Sequence, residues 1–149
     1  MLQKVESLPV KGWKFKDDGE GLGGARGYWN PDFPEDGMVA IRVDKSWDHQ
    51  GYPGLKEGWY RLRYRCPELS EGKRAFLQFG AVDESAWLYI DGLPVAWYDP
   101  ANPGITWEKP VLFDVTGSLI GGQEHTLVVR VKNATMAGGL WKPITLLVY

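Results

Sequence analysis

Trp59-Tyr60-Arg61-Leu62-Arg63-Tyr64-Arg65-Cys66 alternates residue by residue, with Tyr60, Leu62, Tyr64 and Cys66 on one face and three arginines on the other. A period of two marks a strand with one buried face, because successive side chains leave a strand on opposite sides. Thr126-Leu127-Val128-Val129-Arg130-Val131-Lys132 repeats the pattern and sends Leu127, Val129 and Val131 inward. Further strands are predicted over 38–43, 75–82, 86–90, 94–97, 110–113 and 141–149, with Asp91-Gly92 as a hairpin turn between two of them. No window places apolar residues at helical spacing behind a cap and free of Gly or Pro, so helices are not expected. Short strands divided by Gly- and Pro-rich turns predict an all-β fold, an antiparallel β-sandwich of the jelly-roll kind.

The rest of the composition narrows the function. A chain of 149 residues, 44% hydrophobic, suits one domain over 1–149 with a real core. Seventeen basic residues against nineteen acidic ones, with no basic tract, make nucleic acid an unexpected partner. The apolar run Ile144–Tyr149 is too short to span a bilayer, so no membrane partner is expected either. The opening MLQKVESLPVKGWKF has no apolar signal-peptide segment. Cys66 is the single cysteine, which excludes an intrachain disulfide and argues against thiolate zinc. Eight tryptophans are more indoles than a core of this size needs, so some are expected at a binding surface.

Strand parity says where. If consecutive strands run up and down, the loops 44–58, 83–85, 98–107 and 133–140 converge on one rim. That rim owns Trp47, His49, Tyr52, Trp59, Trp97, Tyr98, Trp107 and Trp141, together with Gln50, Asp83, Glu84, Asp99, Asn102 and Asn133. Rings that stack on the C–H face of a pyranose, beside amides and carboxylates for its hydroxyls, suit a carbohydrate ligand. The stacking candidates are Trp97 and Trp107, which bracket a proline-rich loop, while Trp13 and Trp87 read as packing. Asp83-Glu84 could suggest acid/base chemistry, but a glycosidase needs two carboxyls facing each other ~5–10 Å apart across a bond. Turn chemistry or a hydroxyl contact is the better reading. Asp17-Asp18-Gly19-Glu20 reads as a solvated acidic loop without EF-hand spacing, with a structural calcium as the alternative and no other cofactor expected. Arg61, Arg63 and Arg65 read as a solvated or ion-paired stripe.

An ordered set of short motifs adds to this: Gly58-Trp59-Tyr60-Arg61, Leu77-Gln78-Phe79-Gly80-Ala81-Val82-Asp83, Tyr89-Ile90-Asp91-Gly92, Phe113-Asp114-Val115-Thr116 and Gly138-Gly139-Leu140-Trp141-Lys142-Pro143-Ile144. In order and spacing it resembles the N-terminal, galactose-binding-like sugar-binding domain of family 2 glycoside hydrolases such as β-galactosidases and β-glucuronidases. The resemblance implies a non-catalytic sandwich, since in that family the catalytic carboxylates sit on a separate barrel domain. It also implies that Asn133 and residues near Tyr52 can reach the edge of an active site, and that Trp141 pins the preceding loop. Two functions are therefore expected. The first is a non-catalytic carbohydrate-binding module that uses Trp97, Tyr98, Asp99, Asn102, Trp107, Tyr52, Glu84 and Asn133. The alternative is a structural domain of a β-galactosidase-like hydrolase, covalently linked to a catalytic domain in a secreted or periplasmic parent.

Overall fold

The computed structural model describes residues 1–99, 109–134 and 137–149. Among these, ten strands run in chain order: β1 (Gln3–Ser7), β2 (Trp13–Asp17), β3 (Val39–Ile41), β4 (Glu57–Arg65), β5 (Ala75–Asp83), β6 (Ser85–Ile90), β7 (Leu93–Tyr98), β8 (Val111–Asp114), β9 (Glu124–Lys132) and β10 (Gly139–Val148). They form a four-stranded sheet ordered β1-β10-β5-β8 and a six-stranded sheet ordered β3-β2-β4-β9-β6-β7. Every paired neighbour is antiparallel. The fold is the antiparallel β-sandwich expected from the alternating runs.

The alternation of β4 and β9 does what it predicts. Tyr60, Leu62, Tyr64, Leu127, Val129 and Val131 face Leu77, Phe79, Phe113, Ile144 and Leu146 in one buried cluster between the sheets. Two strands lay outside the sequence expectation. β1 is exposed along almost its whole length and carries no apolar period; backbone pairing to β10 holds it at the sheet edge. β2 is only five residues long, with Trp13 and Phe15 inward and lysines between them. Two single helical turns also interrupt loops, α1 (Gly23–Arg26) and a 3₁₀ turn over Trp47–Gln50.

The outer face of β4 follows the ion-paired form of the expected arginine stripe, since Arg61 and Arg63 both approach Glu35, at 2.7 and 3.8 Å. The segment after β2 folds back over it and forms a second small core of Tyr28, Trp59 and Val128, with Trp29, Phe33 and Tyr89 packed around it. Arg61 is 2% exposed beneath this segment. Its Nε donates to Glu35 Oε2 at 2.7 Å, and its terminal nitrogens donate to the carbonyls of Asn30 and Pro31. A guanidinium can be buried here because carbonyl and carboxylate acceptors replace its water. Arg63 stays 64% exposed on its side chain, as a solvated stripe requires.

Register fixes the rim. Glu57 pairs with Lys132, Ser85 with Lys132, Ala86 with Tyr98, and Gly139 with Asp83. These residues therefore lie at one end of the sandwich, where loops 44–58 and 83–85 meet the described part of 133–140, as parity predicts; most of the fourth loop, 98–107, lies outside the described residues.

Candidate functional site

Backbone hydrogen bonds knit the rim before any side chain is considered. Trp47 N–H donates to Gly138 O at 3.0 Å, Asn133 N–H to Lys56 O at 2.8 Å, and Glu84 N–H to Lys132 O at 3.1 Å. Acidic side chains then take up loop N–H groups: Asp48 accepts from Gly138 at 2.8 Å and from Gly54 at 3.0 Å, and Glu84 Oε1 accepts from Ala134 at 3.1 Å. Carboxylates suit this role because irregular backbone leaves donors with no ladder partner. Gln50 is part of the same scaffold. Its Oε1 accepts from Arg42 N–H, and its Nε2 donates to the carbonyls of Arg42, Lys45 and Ser46. Gly138 is required for a steric reason, since a Cβ there would lie 2.6 Å from the Trp47 ring and 2.7 Å from Asn133 Nδ2.

Two recesses open on this scaffold. The first, about 320 Å³, is lined by Asp44, Lys45, Ser46, His49, Asp83, Ala137 and Trp141. Burial, and then the negative charges of Glu84 and Asp48, push the Asp83 carboxyl up to about 6. Near neutrality such a group accepts hydrogen bonds as a carboxylate and, slightly below, donates as an acid. His49 Nδ1 lies 3.2 Å from Ser46 Oγ, and Lys142 Nζ sits 4.7 Å from the Trp141 ring centroid. The Asp83–Glu84 peptide is cis. The second recess, about 290 Å³, is lined by Glu84, Ser85, Trp87, Asp99, Arg130, Lys132 and Ala134.

The expected site residues divide accordingly. Glu84 and Asp99 line the second recess, where Ser85 Oγ donates to Asp99 Oδ1 at 2.7 Å. Asn133 is 1% exposed, between the Lys56 carbonyl and Gly138. Tyr52 packs its half-buried ring 5.0 Å from that of Phe15, and Tyr98 packs against the core. Trp97 is 70% exposed. Asn102 and Trp107 lie outside the described residues.

Among the rim indoles, Trp47 and Trp59 are buried, Trp47 against Tyr60 and Phe15, and Trp59 against Tyr28. Trp13 is core, as expected. Trp87 is not packing: it alternates with the inward Ala86 and Leu88, so its ring leaves the sheet on the outer face and is only partly covered. Lys45 and Ser46 carried no pattern that marked them in the sequence, Trp141 was marked as a rim indole by strand parity, and Lys132 was legible only as the outward member of an alternating run. Among the described residues no three His, Cys, Asp or Glu side chains gather to hold a metal. The Asp18 carboxylate of the acidic loop accepts from Leu22, Gly23 and Trp59.

A β-glucuronidase from Ruminococcus gnavus superposes on 99% of the chain, with a TM-score of 0.79 at 21% identity. The same holds for R. gnavus β-glucuronidase in complex with D-glucuronic acid, at TM-score 0.77, 21% identity and 99% of the chain. The fold is one that β-glucuronidases carry. A β-glucuronidase of Formosa agariphila is 32% identical over 75 residues, half of the chain. No family model matches the chain. The chain spans 28% of the first solved structure, 29% of the second and 7% of the Formosa protein, so it corresponds to a minor part of each. The likeness to family 2 glycoside hydrolases, drawn from ordered motifs, is matched by the folds found.

Proposed function

We propose that this chain is a non-catalytic sandwich domain of a β-glucuronidase-like glycoside hydrolase, and that its rim contributes part of the wall around an active site housed in a separate domain. The observation that carries this reading is the match of nearly the whole chain to little more than a quarter of a β-glucuronidase. The chemistry of the rim agrees with it. Asp83 and Glu84 do not form an acid/base pair, because Glu84 is 8% exposed and holds the Ala134 N–H. Asp83, Lys45, Ser46 and Trp141 instead present one carboxyl, one ammonium, one hydroxyl and one ring to a shared recess, a set that orients a polar substrate.

The test is hydrolysis of an aryl β-D-glucuronide by the full-length hydrolase and by residues 1–149 alone. The full-length protein is expected to turn over and the isolated chain to be inert. Asp83→Ala in the full-length protein should lower kcat/KM by about tenfold or more. Turnover by the isolated chain, or an unaltered kcat/KM in both Asp83→Ala and Lys45→Ala, would count against the proposal. The exposure of Trp97 favours a second reading, in which the domain itself also binds glycan.

A further inference from the structure

The strand register aligns four side chains into a row across the outer face of the six-stranded sheet. Trp59 of β4 pairs with Arg130 of β9, Arg130 with Trp87 of β6, and Trp87 with Trp97 of β7. Directly paired residues in an antiparallel ladder project to the same face, so all four leave the sheet on its outer side. The row grades from inside to outside: Trp59 is 2% exposed, Trp87 is half-buried and Trp97 is 70% exposed. The Arg130 guanidinium lies 5.8 Å from the Trp59 ring centroid and 4.8 Å from that of Trp87, and its Nε donates to Glu57 Oε2 at 2.9 Å. It is therefore fixed from both flanks, and only its Nε–H is spent on Glu57. One row nearer the rim, Ser85 pairs with the exposed Lys132, and Ser85 Oγ donates to Asp99. Trp87, Arg130, Lys132, Ser85 and Asp99 line one recess of about 290 Å³, close to the lower bound of ~300 Å³ for small-ligand pockets.

We propose that this sheet-face recess, floored by Trp87 and extended by Trp97, is a binding site for an acidic sugar, with the pyranose ring against the indoles and its carboxylate toward Lys132 and Arg130. The proposal rests on the second, glycan-binding reading and is independent of any role of the rim in an active site. Three features favour a glycan over a docked protein. The aromatic surface is edged by charged groups, whereas the centre of a protein interface is depleted in charge. Arg130 is held in place by Glu57 and Ser85 by Asp99, so little ordering of these two is needed on binding. Glu57 is paired with Arg130, whereas Glu84 and Asp99 accept from the neutral Ala134 N–H and Ser85 hydroxyl and keep their charge. A preference for an anion therefore rests on direct contact of its carboxylate with the exposed Lys132 ammonium and the Arg130 guanidinium.

The experiment is titration of residues 1–149 with short oligomers of glucuronate, galacturonate and mannuronate, and with the same oligomers after reduction of their carboxyls. Calorimetry and amide shift mapping serve as readouts. At least one oligouronide is expected to bind, with its reduced form about tenfold weaker, the scale of one lost charge-assisted contact. Trp87→Ala and Trp97→Ala should each weaken binding by about tenfold, the scale of a lost ring contact. Lys132→Ala should erase the preference for the acid while the reduced oligomer binds as before. Shifts should map to β6, β7 and β9. Binding with unchanged affinity in all three variants, or shifts confined to Asp83 and Trp141, overturns the placement while leaving glycan binding standing. No binding by any oligomer overturns both. In the full-length hydrolase, Trp97 should remain open to acrylamide quenching; if a neighbouring domain shields it, the surface is a protein interface and the proposal fails.

Discussion

Trp59 donates its indole N–H to Asp18 Oδ2 at 3.0 Å, tying the centre of the six-stranded sheet to a loop residue 41 positions earlier. The same carboxylate accepts from Gly23 N–H at 2.8 Å and Leu22 N–H at 2.9 Å, so one side chain anchors the segment that roofs β4. A Cβ on Gly23 would overlap the Trp59 ring nitrogen and lie 2.6 Å from Asp18 Oδ2. Glycine is therefore part of the anchor.

Loss of that carboxylate leaves buried N–H donors without acceptors. Asp18→Ala should cost about 2–4 kcal/mol in urea unfolding. Burial by itself raises this carboxyl, but the donors from Trp59 and the backbone outweigh it and hold the group below the usual carboxylate range. A lowered folded value makes its stabilisation complete above the unfolded pKa of ~3.9 and progressively lost as pH falls through the folded one. The wild-type urea midpoint should thus drop below pH 4 by more than that of Asp18→Ala. Equal slopes in the two proteins would remove Asp18 from the explanation.

Asp83 has the opposite sign. Its folded carboxyl lies near 6, above the unfolded value, so the folded state holds a proton that the unfolded state releases. Its contribution is fully present below about pH 4 and is lost as pH rises through 6. Asp83→Asn should flatten the stability profile between pH 4 and 6 and raise stability at pH 7 by about 1–2 kcal/mol, allowing for solvent screening of a half-buried group. A variant no more stable than wild type at pH 7, with the slope retained, contradicts this assignment.

The indoles should separate by stability. Trp47 is 0% exposed, and its removal opens a cavity under the rim, so Trp47→Ala should cost about 3–5 kcal/mol. Trp97→Ala, at 70% exposure, should change stability by no more than about 0.5 kcal/mol. Thermal unfolding of the two variants side by side checks the pair.

Cys66 is 0% exposed, and burial together with the negative charges of Glu6 and Glu68 pushes its thiol up to about 11. The thiolate is the reactive form. A disulfide reagent should label the native chain no faster than the chain unfolds, and should label it at once in urea. Rapid stoichiometric labelling at pH 7.5 without denaturant would show that the strand end opens.

Much of the sandwich was legible because a strand buried on one face writes its period into the chain, as β4 and β9 do. The rim was legible too, since antiparallel connection forces alternate turns to one end. β1 left no trace, because an exposed edge strand is specified by backbone pairing rather than by side-chain type. Arg61 and Arg63 look alike in an alternating run; a segment ending near residue 36 buries one and leaves the other wet.

By itself the sequence determined the sandwich, the converging loops and the surplus of indoles, all consequences of local periodicity and connection rules. Tertiary structure decided which tryptophans face water. Trp47 and Trp59 sit on the rim in sequence terms, yet Phe15, Tyr60 and Tyr28 pack over them. Trp87, whose place in the run read as packing, lines a recess because its neighbours across the ladder are Arg130 and Trp97. Cross-strand register and the return of distant loops set those neighbours, and neither is encoded within the few residues around an indole.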